Sequence, residues 1–197
     1  CSGGGLAQTQ GNWRTKAGGN PGGPLLQCGI HKLDFLIGLL GPVSHVSAMM
    51  QDDITDFEVV DNVMTLIEFR CGVQVAFVSN YTTAYYHTIV LLGTEANLHA
   101  HMHITGYRQS EVYIQHRAKG VHEPWQALRI PYDNSYPDAH GGVLEKSFVH
   151  QIRNAQPDYT NLRESIEALR VVDAAVESYE TGRAVALNAP QYESFSN

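Results

Sequence analysis

Gln27, His31 and Asp34 stand four and three residues apart in a chain of 197 residues, a spacing that lays them along adjoining surfaces of a helix. An imidazole on such a surface takes up or releases a proton near neutral pH, the range in which general acid–base catalysis works. Leu26, Ile30 and Leu33 fall on the apolar side of that helix, so His31 is expected to face a cleft and not the core. The plainer alternative is that His31 and Asp34 only tie the helix to neighbouring backbone.

A second constellation is His99, His101 and His103 in Leu-His-Ala-His-Met-His-Ile. The two-residue period of a strand puts the three imidazoles on one face and Leu98, Ala100, Met102 and Ile104 on the other. Such a face binds zinc when another element adds a ligand; otherwise it is the polar side of an amphipathic strand. A third is the loop Gly18-Gly19-Asn20-Pro21-Gly22-Gly23. Glycine loops that open helices hold phosphates with convergent amides. A dinucleotide fingerprint also needs a preceding apolar strand and a βαβ frame, and the sequence offers neither. The loop therefore reads as the approach to the His31 helix, and no nucleotide or metal site is assigned to this chain. GxSxG and CxxC patterns are absent. Trp13, Trp125, Tyr81, Tyr85 and Tyr86 either seal core edges or stack on a sugar-like ligand. Cys1, Cys28 and Cys71 are too few and too scattered for a disulfide framework or a zinc ribbon. They fit a reducing cytoplasm, with Cys28 and Cys71 expected to be buried.

The elements that must position these groups follow from period. Residues 1–23 read as an irregular, glycine-rich arm. Residues 24–40 read as a helix that starts at Pro24, carries Leu26, Ile30, Leu33, Ile37 and Leu40 at helical steps, and stops at Gly41-Pro42. Seven runs rich in β-branched and aromatic residues follow: 43–50, 63–70, 73–80, 87–92, 96–104, 111–116 and 126–130. Their short links predict an antiparallel meander. Two helices close the chain, one marked by Leu144, Phe148 and Ile152, the other by Leu162, Ile166, Leu169, Val172 and Val176. Asn161 and Glu164 look like a capping box, and Gly182 falls at a left-handed helix end. The class is α+β, a largely antiparallel open sheet with helices packed on one face. Residues 24–189 form one domain in this reading, and 190–197 a tail.

Thirteen Lys and Arg against twenty Asp and Glu leave a net charge of −7, which argues against a nucleic-acid partner. With 43% apolar and 17% charged residues, the chain has material for a real core. Its longest apolar run, Phe35–Leu40, is too short to cross a bilayer, and no segment with the pattern of an export leader is read in these residues, so export is not expected. The opening Cys-Ser-Gly-Gly-Gly, without Met, points to a piece of a longer protein. The uncovered face of such a sheet stays partly apolar, so a homodimer or higher oligomer formed through it is expected.

Two blocks, GNWRTKAGGNPGGPLLQCGIHKLDFLIGLLGPV and ESIEALRVVDAAVESYETGRAVAL, resemble the C-terminal domain of the glucose–fructose oxidoreductase / inositol dehydrogenase (Gfo/Idh/MocA) family. The first is similar to that family's Gly-Gly, Asp-x-Gly-x-His-x-x-Asp and Leu-x-Gly pattern, the second to its closing helix. The resemblance runs from Asn12 to Leu187 and implies a dihydrodipicolinate-reductase-like fold. It implies the substrate-binding and oligomerisation half of an NAD(P)-dependent oxidoreductase acting on a sugar, polyol or related hydroxy compound. NAD or NADP would then be held by an N-terminal Rossmann domain that has no counterpart here, and none is expected to bind this chain alone. By the same resemblance His31 maps onto the acid/base histidine, Asp34 onto a helix-anchoring aspartate, and Trp13, Arg14 and Lys16 onto substrate-contacting positions. Gln27 stands where the family has aspartate. An amide there can orient substrate but cannot share a proton. The rival expectation is a non-catalytic binding or scaffold domain of the same fold.

Overall fold

A computed structural model of the chain describes residues 13–102, 111–117, 124–128, 143–155 and 160–189. Cys1, His103, Ile104, Ile130, the tail 190–197 and the side chains of Leu144 and Asn161 lie outside the described residues. The chain divides into two compact units, Cys1–Tyr85 with Tyr159–Asn197, and Tyr86–Asp158.

The first unit is built on strands β1 (Val43–Gln51), β2 (Asn62–Phe69) and β3 (Gln74–Asn80), whose alternating apolar residues satisfy the two-residue period of a pleated strand. All neighbours are antiparallel, in the order β3-β2-β1 followed by a short last strand at the β1 edge. Strand β8 (Val185–Ala186) pairs with His45 and Val46; two residues are too short to show a period, and the sequence reading missed it. On one face Val46, Met50, Val63, Ile67, Phe69 and Phe77 are buried. On the other, Met49, Met64, Leu66 and Val78 are exposed, with Met49, Met64 and Val78 aligned across three strands.

Two helices cover the buried face. The first begins as a five-residue π turn, Leu25–Gly29, and continues as α1 (Ile30–Leu40). Leu25, Leu33, Leu36 and Ile37 are its buried residues, while Leu26, Ile30 and Leu40 pack at the edge of the core. Gly41 ends it at φ 83° with its amide bonded to the Ile37 carbonyl at 2.8 Å. The long closing helix, Thr160–Thr181, already includes Asn161, which therefore sits inside the helix and not at its cap. Gly182 follows at φ 66°, the left-handed conformation expected of it.

The buried face of that closing helix differs from the one its largest residues mark. Ala168, Val171, Val172, Ala174, Ala175 and Ser178 are buried, and Leu162, Ile166 and Leu169 are exposed. Small side chains let the helix approach the sheet closely, near enough for the Ala48 amide to donate to Ser178 Oγ at 3.0 Å. Of the five residues that mark its period, Val172 is buried and Val176 packs against the core, and the other three are exposed.

In the second unit β4 (His87–Leu92), β5 (Ala96–Met102), β6 (Glu111–His116) and β7 (Gln126–Ala127) form another antiparallel sheet in sequence order. The meander is thus two four-stranded sheets. The unit also carries α2 (Val143–Asn154), where Phe148 and Ile152 are exposed; the closing helix is α3. Among the described residues no helix is long and apolar enough to cross a membrane.

Candidate functional site

The approach to α1 is shaped by two glycines. Gly22 and Gly23 adopt φ of 87° and 52°, conformations that L side chains rarely take. A Cβ on Gly23 would sit 2.2 Å from the Val60 carbonyl oxygen, and one on Gly22 would sit 3.0 Å from a Val172 methyl. The loop is therefore packed against its own protein. At Gly22 and Gly23 the bareness serves internal contact, and these two glycines do not form an open cradle for a pyrophosphate.

Gln27 lies in the π turn and is half-buried. Such turns often mark functional positions in helices. Here the turn carries Gln27 to the end of β3, where the Tyr81 hydroxyl donates to Gln27 Oε1. The same hydroxyl accepts from Asn20 Nδ2 at 3.0 Å, and Asn20 Nδ2 also donates to the Arg14 carbonyl at 2.7 Å. Asn20 and Tyr81 are 0% and 1% exposed. Burial pushes the Tyr81 phenol well above its ordinary value, against the opposing hydrogen bond from Asn20. Ser79 Oγ, buried beneath, donates to the Pro24 carbonyl at 2.8 Å and ties the start of the helix to β3. Asn20 Oδ1 is buried without a partner among the described residues.

His31 follows on the first turn of α1 and is exposed. No hydrogen bond or ion pair holds it among the described residues, which leaves the ring open to a ligand or to solvent. Beside it Lys32 is partly buried, and that burial lowers its ammonium pKa. Asp34 keeps Oδ1 buried and unpaired among the described residues, so the structure gives it no anchoring bond through that oxygen.

Of the other sequence candidates, Trp13 is exposed and the Arg14 guanidinium lies 4.7 Å from its ring centroid. Lys16 is bonded to Glu58, and that hydrogen bond holds the Glu58 carboxyl below the usual carboxylate range. The loop bearing Glu58 is fixed by Asp61, a fully buried carboxylate. Asp61 Oδ2 accepts from the Ile54 and Thr55 amides at 3.0 and 2.9 Å, and Oδ1 from Asn62 Nδ2 at 2.6 Å. The same loop places Phe57 edge-on to Tyr81, with centroids 6.2 Å apart, and bonds Glu58 N–H to the Thr15 carbonyl at 3.0 Å. The structure thus links Arg14, Gln27 and the Lys16 segment around Tyr81. Sequence reasoning did not single out Asn20, Asp61 or Tyr81 for this role. The available signals were a polar residue inside a glycine loop and a tyrosine closing a strand.

The histidine strand is a different matter. His99 Nε2 is 2.7 Å from Thr88 Oγ1, and its ring lies among Tyr113 and Trp125; the His101 ring lies 5.3 Å from that of Tyr86. His103 lies outside the described residues. Among the described residues no three His, Cys, Asp or Glu side chains converge to hold a metal. Cys71 is exposed and Cys28 half-buried, against the expected burial of both. The turn between β2 and β3 carries Cys71 outward, and Cys28 lies within the π turn. On the open face of the first sheet a groove of about 470 Å³ is lined by His45, Ser47, Leu66, Glu68 and Ala76 among others, with His45 Nδ1 3.1 Å from Glu68 Oε2.

These features define an α+β domain with an open antiparallel sheet and a histidine-bearing helix behind a glycine loop. The chain belongs to the Gfo/Idh/MocA oxidoreductase family, whose C-terminal alpha/beta domain matches residues 2–187. Among solved structures it is similar to a protein described as an NADPH-dependent oxidoreductase from Desulfitobacterium hafniense, at 28% identity and a TM-score of 0.78, covering 89% of this chain and 51% of that one. It shares its fold with aldose-aldose oxidoreductase from Caulobacter crescentus complexed with glycerol, at 22% identity and a TM-score of 0.74, covering 90% of this chain and 51% of that one. The same holds for levoglucosan dehydrogenase in complex with NADH and levoglucosan, at 21% identity and a TM-score of 0.66, covering 92% and 54%. The chain spans about half the length of these structures. No curated protein sequence matches it.

Proposed function

We propose that this chain is the substrate-binding and oligomerisation half of an NAD(P)-dependent oxidoreductase acting on a sugar, polyol or related hydroxy compound, working in a reducing cytoplasm. The observation that carries the reading is His31, exposed and unengaged on the first turn of α1 directly after the π turn that holds Gln27. Its imidazole takes the proton from a substrate hydroxyl in the oxidising direction and returns it in the other. Gln27, Lys16, Trp13 and Arg14 line the approach and orient the substrate. The dinucleotide belongs to the part of the enzyme beyond this chain, since the glycine loop is spent on Val60 and Val172. Oligomerisation through the open sheet is supported by Met49, Met64, Leu66 and Val78, an exposed apolar band on a regular antiparallel surface.

The test is turnover of the intact enzyme, followed by NAD(P)H absorbance with a polyol panel. His31→Ala is expected to lower kcat about a hundredfold or more with little change in KM. Unchanged turnover removes His31 from the mechanism. A second reading, a binding domain without chemistry, draws on Gln27, whose amide replaces a carboxylate that could share a proton. An upstream coding sequence lacking any nucleotide-binding βαβ would favour it.

A further inference from the structure

We infer that Asn20 and Tyr81 set the Gln27 side chain as a hydrogen-bond donor toward the substrate, so that the site takes a compound presenting an acceptor-only oxygen, a ketone or a carboxylate, at that point. The inference rests on the proposed function and refines its substrate class.

The direction of the relay is fixed from its inner end. The Arg14 carbonyl can only accept, so the Asn20 atom 2.7 Å away is the amide nitrogen. That nitrogen spends its second hydrogen on the Tyr81 hydroxyl oxygen, 3.0 Å away. The hydroxyl, having accepted, has its own hydrogen left to donate, and the group it meets on Gln27 is therefore the carbonyl oxygen Oε1. Turning the Gln27 amide over would set its N–H against the hydroxyl and leave the buried Tyr81 O–H without the acceptor it now has. The buried phenol keeps its proton well above the ordinary tyrosine range, so the order of donors holds at working pH.

The consequence is chemical. With Oε1 spent on Tyr81, Gln27 Nε2 is the group that remains, and it has no partner among the described residues. A carboxylate at this position would accept from a substrate hydroxyl. The Gln27 amide nitrogen can only donate. A ketone or carboxylate oxygen satisfies it fully, whereas a hydroxyl does so only by turning its own hydrogen elsewhere.

The experiment measures binding of L-erythrulose, D-gluconate and D-glucitol to the intact enzyme and to two variants. Erythrulose, whose chain is too short to close a stable ring, offers the ketone, gluconate the carboxylate, and glucitol hydroxyls alone; comparison of the first two separates the sources of the acceptor. The wild type is expected to favour at least one acceptor-bearing compound over glucitol. Gln27→Glu should shift that ratio toward glucitol about tenfold. Tyr81→Phe frees the amide to turn and should bring the ratio close to one. A ratio that stays put in Gln27→Glu while all three compounds bind overturns the donor assignment and leaves the oxidoreductase reading standing. If none of the three binds the wild type, that reading falls, and the inference with it. A ligand-free arm uses nitrogen-15 NMR: the Asn20 side-chain amide protons are expected to be protected from exchange and those of Gln27 to exchange freely. The reverse pattern overturns the relay even where Tyr81→Phe fails to fold.

Discussion

Removing the Asp61 carboxylate should be among the costliest single changes in the first unit. Asp61→Ala deletes three hydrogen bonds at once, two from the Ile54 and Thr55 amides and one from Asn62 Nδ2. Bonds to a charged group contribute about 1.5–3 kcal/mol each, but Ile54 is exposed and Asn62 half-buried, so water recovers part of the loss. A net cost of about 3–4 kcal/mol follows. Asp61→Asn keeps one oxygen for the two amides and sets its Nδ2 against that of Asn62. Asn62 can turn over only if the Thr82 hydroxyl, which donates to its Oδ1 at 2.6 Å, rotates to accept instead. The asparagine variant should therefore cost about 1–2 kcal/mol. In urea, with a slope of about 2 kcal/mol per molar, the alanine midpoint falls by about 1.5–2 M and the asparagine midpoint by half of that or less. Two results would refute the reasoning: equal midpoints for the two variants, or a loss below about 1 kcal/mol for alanine. A smaller loss would mean that the loop carrying Phe57 and Glu58 holds its place without the carboxylate.

Other outcomes can be checked alongside the His31 and Gln27 experiments. Burial raises the Cys28 thiol pKa, so less thiolate is present at pH 8 than for an ordinary cysteine and alkylation is slower. Peptide mapping after brief iodoacetamide treatment should find Cys71 modified well before Cys28, with the gap narrowing as pH rises above the ordinary thiol range. Leu66→Arg places a charge at the centre of the exposed band on β2. It should lower the mass seen by light scattering and leave the circular dichroism spectrum intact; an unchanged mass would move the subunit contact elsewhere.

The helix over 24–40, the strands β1 to β6 and the closing helix were legible because their signals are local. Apolar residues two apart mark a half-covered strand, and those three and four apart mark a helix, with no knowledge of what covers either. The same locality misled where local signals are weak. Leu162, Ile166 and Leu169 share a helical period with Val172 and Val176, yet beside those two valines the core took Ala168, Val171 and Ala175, because close approach favours small residues over large ones. Strand β8 is two residues long and exists only because β1 offers it an edge.

By itself the sequence determined that His31 would follow Gln27 on one helix behind a glycine loop, in a chain with family-like blocks at both ends of a strand-rich middle. Only the tertiary structure decided what Gln27 could do. Its partner Tyr81 lies 54 residues away, and the Asn20 that orients Tyr81 lies 61 residues from it. Contacts across such separations leave no period in a sequence. Hydrogen bonds have direction, so a donor-only function emerges when a buried carbonyl, an amide and a phenol meet in a particular order, and that order is a property of the fold.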